Sequence, residues 1–496
     1  MLNISRSKPR RNRFRQVFTA LILLYGLLLI PDSNKSPIYE AKGVPFTWDR
    51  DQTWQQLEEK FKQAQTQSPE VLDSMINDLS RIAEEQLVSL DSSEFSPGDV
   101  RLDFIQATFF SIAPLVAATK KENTWFIDYY NRVRNMVKRR SSAWDAASEG
   151  GRNRLYELLY GMRAAVEEVL LQLETTDFDP VMLVKNETSA TPSTTILGVK
   201  VHSGDLLVSR GGAEVSALIS RGNDYPGNFS HVALIYVDAA TDTPYLIEAH
   251  IEKGVAFATV EEYLKDKKLR FMVLRPRADL PALENDPQLP QKAARFIYDE
   301  ASKRHIPYDF KMNFFDSTAM FCSEVGSYAY KNHGVTLWQA ESTISSQGVV
   351  NWLSTFGVEY FVTQMPSDLE YDPQLSVVGE WRDAETLLKD HIDNAVMDAL
   401  LESADQGMEI DYSIWQLPIA RLLKGYCMVL NWVGKASPIP EGMSATQALK
   451  NNSFVDTYQN VRGKAESKVK KFKEENGYTP PYWQLVSLAQ EARDES

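Results

Sequence analysis

Apolar residues recur at helical spacing from about Trp48 onward. Trp54, Leu57 and Phe61 mark one amphipathic segment, and Val71, Leu72, Met75, Ile76, Leu79, Ile82 and Ala83 mark a second. Further stripes at 102–116, 125–137 and 155–171 pack most simply against one another, which predicts a helical bundle over about 48–180. A Thr- and Ser-rich stretch with Pro192, at 185–195, then separates the bundle from a chain of different texture. Short runs at 201–208, 231–237, 245–249 and 271–274 are rich in β-branched and aliphatic residues and read as strands. A helix follows over about 291–302, with Ala293, Ala294, Phe296, Ile297 and Ala301 on its buried face. Another begins near Cys322, where Asp316, Ser317 and Thr318 offer N-cap side chains and Val325, Tyr328 and Ala329 follow at helical spacing.

Beyond 345 the helical period returns, at about 344–356, 384–404, 414–433, 453–472 and 483–493. The third of these is nearly all apolar, with only Arg421 and Lys424 charged; it reads as a buried helix, with docking on a membrane as the alternative. The pattern therefore predicts an α+β domain over 196–345, flanked by a helical bundle and linker over 46–195 and a helical region over 346–496.

Charge changes the picture at the N-terminus. The chain of 496 residues carries −14 overall, yet Arg6, Lys8, Arg10, Arg11, Arg13 and Arg15 precede any acid, leaving about −20 on the remainder. An apolar segment from Val17 to Ile30 follows, ended by Pro31. Basic residues before a short apolar run are the layout of a secretory signal or signal anchor. With only a weak cleavage site, far downstream near Tyr39-Glu40-Ala41, an uncleaved anchor is the expectation. Residues 31–45 would then be a tether, and the positive-inside rule would send the bulk of the chain across a bacterial inner membrane into the periplasm. The acidic remainder argues against a nucleic-acid partner. Two cysteines, Cys322 and Cys427, cannot build a disulfide framework, and no Cys/His spacing suggests a metal or other cofactor.

Candidate chemistry centres on Cys322. At a helix N-terminus the macrodipole favours thiolate over thiol, although most free cysteines are small core residues. A cysteine nucleophile needs a base, a group to orient that base, and donors for an oxyanion. His231 opens an apolar strand, and Glu248 and His250 share one face of the next by the strand period of two. Either could hold His231, and a carboxylate would do so with the better electrostatics. Cys427 has no His or acid nearby in sequence and reads as core.

Gly204-Asp205-Leu206-Leu207, Ser230-His231-Val232, Ile247-Glu248-Ala249, Pro307-Tyr308-Asp309 and Phe321-Cys322-Ser323-Glu324 occur in an order and rough spacing that resembles the permuted papain-like amidases of the YiiX and YaeF type. These are related to the NlpC-type cell-wall hydrolases and, more broadly, to lecithin retinol acyltransferase. The histidine and acid precede the cysteine here, as permutation requires. The resemblance covers about 196–335 and implies Cys322 as nucleophile, His231 as base and Glu248 as the orienting member, with His250 as the alternative third member. It leaves Tyr308 open between an oxyanion or substrate contact and groove packing, and Asp205 as a turn cap. The implied activity is that of a cysteine-dependent hydrolase or acyltransferase of the cell envelope, acting on a peptide, lipid or acyl-amide substrate through a Cys322 thioester. The alternative is a non-catalytic envelope scaffold that binds lipid or peptide in a papain-like groove.

Overall fold

The computed structural model describes residues 10–32, 37–48, 50–121, 123–173, 179–432, 435 and 437–496, with side chains from residue 15 onward. Its centre is a seven-stranded antiparallel sheet. The strands are β1 (Val181–Leu183), β2 (Leu206–Gly211), β3 (His231–Val237), β4 (Pro244–His250), β5 (Gly254–Ala258), β6 (Lys268–Pro276) and β7 (Leu375–Arg382), in the spatial order β1-β7-β6-β2-β3-β4-β5. Both faces are covered, so the inner strands read as nearly continuous apolar runs rather than as alternation. Leu206, Val208, Val232 and Leu234 join one core with Ala293, Ala294 and Ile297 of the helix Leu289–Lys303 and with Val325 and Ala329 of the helix Cys322–Lys331. Leu207, Ala233, Ile235 and Val273 form a second core on the opposite face, under the hairpin Ser193–Ile196 and Val199–His202 and the short helix that carries Tyr263.

The run expected as one strand over 201–208 is two, broken at Gly204. Gly204 has φ +94°, and a Cβ there would lie 2.3 Å from Pro290, so the turn requires glycine. Asp205 then accepts from the His202 N–H at 2.7 Å and pairs with Arg275 at 2.7 Å, which makes it a buried turn cap. The second close approach is at Gly326, where a Cβ would meet Leu206 at 2.3 Å; its absence lets the Cys322 helix press onto β2.

The helical flanks are not separate bodies. The bundle helices Asp51–Ala64, Pro69–Asp91, Val100–Thr119 and Thr124–Arg140, with the continuous helical stretch from Glu149 to Leu170, share one core with the sheet. The boundary expected at 345 cuts across that sheet, because β7 pairs with β6 in the register Leu375↔Pro276 to Arg382↔Arg270. Both β7 and β5 escape the sequence pattern: β5 is short, and the apolar run of β7 is broken by Gly379 and Glu380. Val100–Thr119 is the helix, among the described residues, long and apolar enough to cross a membrane, but 56% of its apolar window is buried inside the protein, as in a core helix. The N-terminal helix Arg10–Leu28 is exposed along Val17, Leu21, Leu23, Leu24 and Leu27. The burial expected for 414–433 is overturned: in the helix Leu417–Trp432 only Leu417, Pro418, Ala420 and Cys427 are buried.

Buried charge ties the layers together. Glu167, on the last bundle helix, accepts from Arg270 on β6 at 2.5 and 3.0 Å, from Arg163 at 3.1 Å, and from His391 of the helix Ala384–Asp405 at 3.0 Å. Arg163 also forks onto Glu370 with two bonds of 2.9 Å.

Candidate active site

His231 is the first residue of β3 and faces Ser209 of β2 across the ladder. Glu248 on β4 is directly opposite Ala233, so His231 and Glu248 are diagonal neighbours on one sheet face. The Nε2 of His231 lies 2.6 Å from Glu248 Oε2, and the Nε2 of His250 lies 2.8 Å from Glu248 Oε1. One carboxylate thus holds two imidazoles. Glu248 is the group against His231, and His250 meets the other oxygen of the same carboxylate.

The other group that bears on the His231 ring is the Cys322 side chain. The helix starts at Cys322 itself, and its N-cap is Phe321 rather than Asp316, Ser317 or Thr318. Asp316 instead accepts from the Thr318 N–H within the preceding loop. Being the first helical residue, Cys322 leaves its own N–H without an intrahelical acceptor and has its sulfur beside the positive end of the helix. The thiol is 5% exposed and approaches the Ser230 carbonyl at 3.7 Å, where it donates to the residue just before His231.

Electrostatics follow from these contacts. Burial disfavours a charged His231, but the bonds to Cys322 and Glu248 outweigh it and hold the imidazolium up to about 9. Burial would likewise raise Glu248, yet its bonds to His231 and His250 keep it well below the usual carboxylate range, so it stays ionised at neutral pH. Glu324 behaves oppositely: burial, with Asp309 and Cys322 nearby, pushes it up to about 9, although it accepts from the Phe321 N–H at 2.9 Å. It is therefore neutral at pH 7 and does not repel a thiolate two residues away. The sequence contained a signal for this, an acid three residues after the N-cap position, but nothing in it reported the burial that keeps the acid protonated.

Tyr308 lies near Cys322. It bridges to Met320, the Met320 N–H donates to Pro307 at 3.0 Å, and its ring stands edge-on to Phe310 at 5.0 Å. Burial and the charge of Cys322 both hold its hydroxyl well above its ordinary pKa, so it is a donor and not a phenolate. Cys427 is fully buried and unpaired. Among the described residues, no three His, Cys, Asp or Glu side chains gather as a metal site.

A specific titration follows. In protein with labelled histidines, the His231 resonance is expected to titrate near 9, against 6.5 for a free imidazole, so its proton is present at neutral pH and lost only as pH rises through about 9. In Cys322→Ala one of the two raising contacts is gone and the midpoint moves down. An unchanged midpoint would show that Cys322 and His231 do not interact.

No curated protein matches the chain. The crystal structure of the metalloprotein YiiX from Escherichia coli O157:H7 is 19% identical over 36% of this chain and 95% of that one, with a TM-score of 0.29. A family match spans residues 200–379 and so takes in β2 to β6, the Cys322 helix and the greater part of β7. Residues 200–379, which hold His231, Glu248 and Cys322, match the family of permuted papain-like amidase enzymes, the YaeF/YiiX or C92 family.

Proposed function

We propose that the protein is a cysteine-dependent amidase or acyltransferase of the cell envelope, held to the membrane by its N-terminal helix. The observation that carries this reading is the Cys322, His231, Glu248 contact chain within the amidase-family segment. The Cys322 thiolate attacks the acyl carbonyl, and the charge that develops on oxygen meets the Cys322 N–H at the helix start, with the Tyr308 hydroxyl as a second donor. The His231 imidazolium then gives its proton to the departing amine or alkoxide, leaving a Cys322 thioester and a neutral imidazole. That imidazole takes a proton from water, or from an acceptor alcohol or amine, as it attacks the thioester; collapse returns the thiolate and the imidazolium. Glu248 keeps the ring oriented and stabilises its charge throughout.

The test is the adduct. Protein incubated with an envelope extract, or with an activated acyl probe, is expected to gain a mass that maps to Cys322 and is released by hydroxylamine. Glu248→Gln should slow its formation roughly 100-fold or more, through the loss of charge behind the imidazolium, and His250→Ala by much less. A fast Glu248→Gln protein beside an inactive His250→Ala protein would reverse the roles given to these two residues.

A further inference from the structure

The helix Leu417–Trp432 is turned inside out relative to a helix that faces water. Its charged residues point inward. Arg421 donates to the carbonyls of Leu27 at 3.4 Å and Leu28 at 3.1 Å and to Asp32 at 2.8 Å, while Lys424 donates to the carbonyls of Pro440 at 2.7 Å and Glu441 at 3.0 Å. The outward face is apolar, with Ile419, Leu422, Tyr426 and Val429 exposed along it; Trp415 just ahead of the helix and Trp432 at its end are 66% and 86% exposed. In water the reverse orientation would be favoured, since it would hydrate the charges and shelter the apolar side chains. The observed orientation suits a surrounding medium that is itself apolar.

The neighbouring N-terminal helix identifies that medium. Arg10–Leu28 also exposes an apolar surface, and it meets Leu417–Trp432 at its own C-terminal end, where Arg421 caps the Leu27 and Leu28 carbonyls. A helix entering a bilayer with its arginines on the cytoplasmic side leaves it at that opposite end. Leu417–Trp432 is 16 residues long, roughly 24 Å, shorter than the roughly 30 Å hydrocarbon core. Tryptophan at both ends and charges turned to the protein side match a helix lying in the interfacial plane. We propose that Leu417–Trp432 is an interfacial membrane helix, seated on a lipid bilayer beside the exit of the N-terminal helix.

The seat connects to the cleft. The segment after the helix returns through Gly442, where a Cβ would lie 2.4 Å from the Phe310 ring, and Phe310 stands against Tyr308. A bilayer under Leu417–Trp432 thus comes close to the Tyr308 wall of the active site.

The test uses the full chain in vesicles of phosphatidylethanolamine and phosphatidylglycerol, carrying a nitroxide at Leu422→Cys or, as a control on the helix Ala445–Asn476, at Lys471→Cys. Cys322 and Cys427 are buried, and the unsubstituted protein supplies their labelling background. Relative to a water-soluble nickel chelate, oxygen is expected to collide several-fold more often with the label at 422 than with that at 471. Equal ratios at the two positions would overturn the proposal. So would dipolar coupling between labels at 422 that survives dilution into excess lipid, since the occupant would then be a second copy of the chain. Carbonate extraction reports separately on the N-terminal helix: a chain that resists extraction while position 422 is open to the chelate keeps its anchor and loses the interfacial helix.

Discussion

Replacing Cys322 with alanine is expected to leave the fold intact and to lower turnover by roughly 10⁴-fold or more, the scale on which removal of a nucleophile acts when the rest of its machinery remains. The fold should survive because the thiol fills little volume and its contacts, with His231 and at 3.7 Å with the Ser230 carbonyl, are few. The chemistry should not, because the second cysteine cannot substitute: Cys427 is fully buried on the helix Leu417–Trp432, and among the described residues no hydrogen bond joins it to an imidazole. Intact-mass analysis after acyl-probe treatment, with a thermal melt on the same sample, separates the two consequences. An adduct of equal yield on the alanine protein would place the reactive group elsewhere and remove the proposed mechanism.

The second large effect concerns stability. Glu167 is 1% exposed and receives Arg163, Arg270 and His391, with Arg382 at 3.6 Å. Burial alone would raise its pKa, but the arginines and the hydrogen bond with His391 hold it well below the ordinary carboxylate range. Glu167→Ala strands several buried positive charges and should cost about 3–5 kcal/mol, as removal of one partner from a buried ionic network does. Denaturant unfolding of the variant beside the wild type measures it. A loss under about 1 kcal/mol would mean that water or neighbouring acids such as Glu370 and Glu380 neutralise the arginines unaided. Since the pKa is lowered, this contribution is present above the unfolded carboxylate range and is lost on acidification, so the difference between the two proteins should shrink at low pH.

Particular elements show what could be read from sequence. The β3 strand was visible because its apolar run is bounded by polar residues, and the period-two face of β4 put Glu248 and His250 together as the candidates to meet His231, of which Glu248 lies against the ring. The Cys322 helix was visible, but its start was displaced: hydroxyl and carboxylate side chains at 316–318 suggested a cap, while tertiary packing set the first turn at Cys322 and left Phe321 as N-cap. The strand β7 was illegible because its partner β6 is distant in sequence and its own pattern, interrupted by Gly379 and Glu380, has no simple period. The helix at 417–432 was misread for a related reason. Apolar composition reports a preference for leaving water and does not say whether protein or lipid receives the side chains. The protonated state of Glu324 was equally hidden, being a property of the surrounding burial and not of the residue.

The position of β7 has a consequence for biosynthesis. Until residue 382 has been made, the β6 edge carries unpaired backbone groups, although His231, Glu248 and Cys322 are already present in the nascent chain. The site is therefore synthesised before the sheet that supports it can close, and the long-range pairing should make that closure a slow step. During that interval, the open edge of β6 is the segment most exposed to pairing with another chain, and a nascent-chain chaperone would be expected to shield it first.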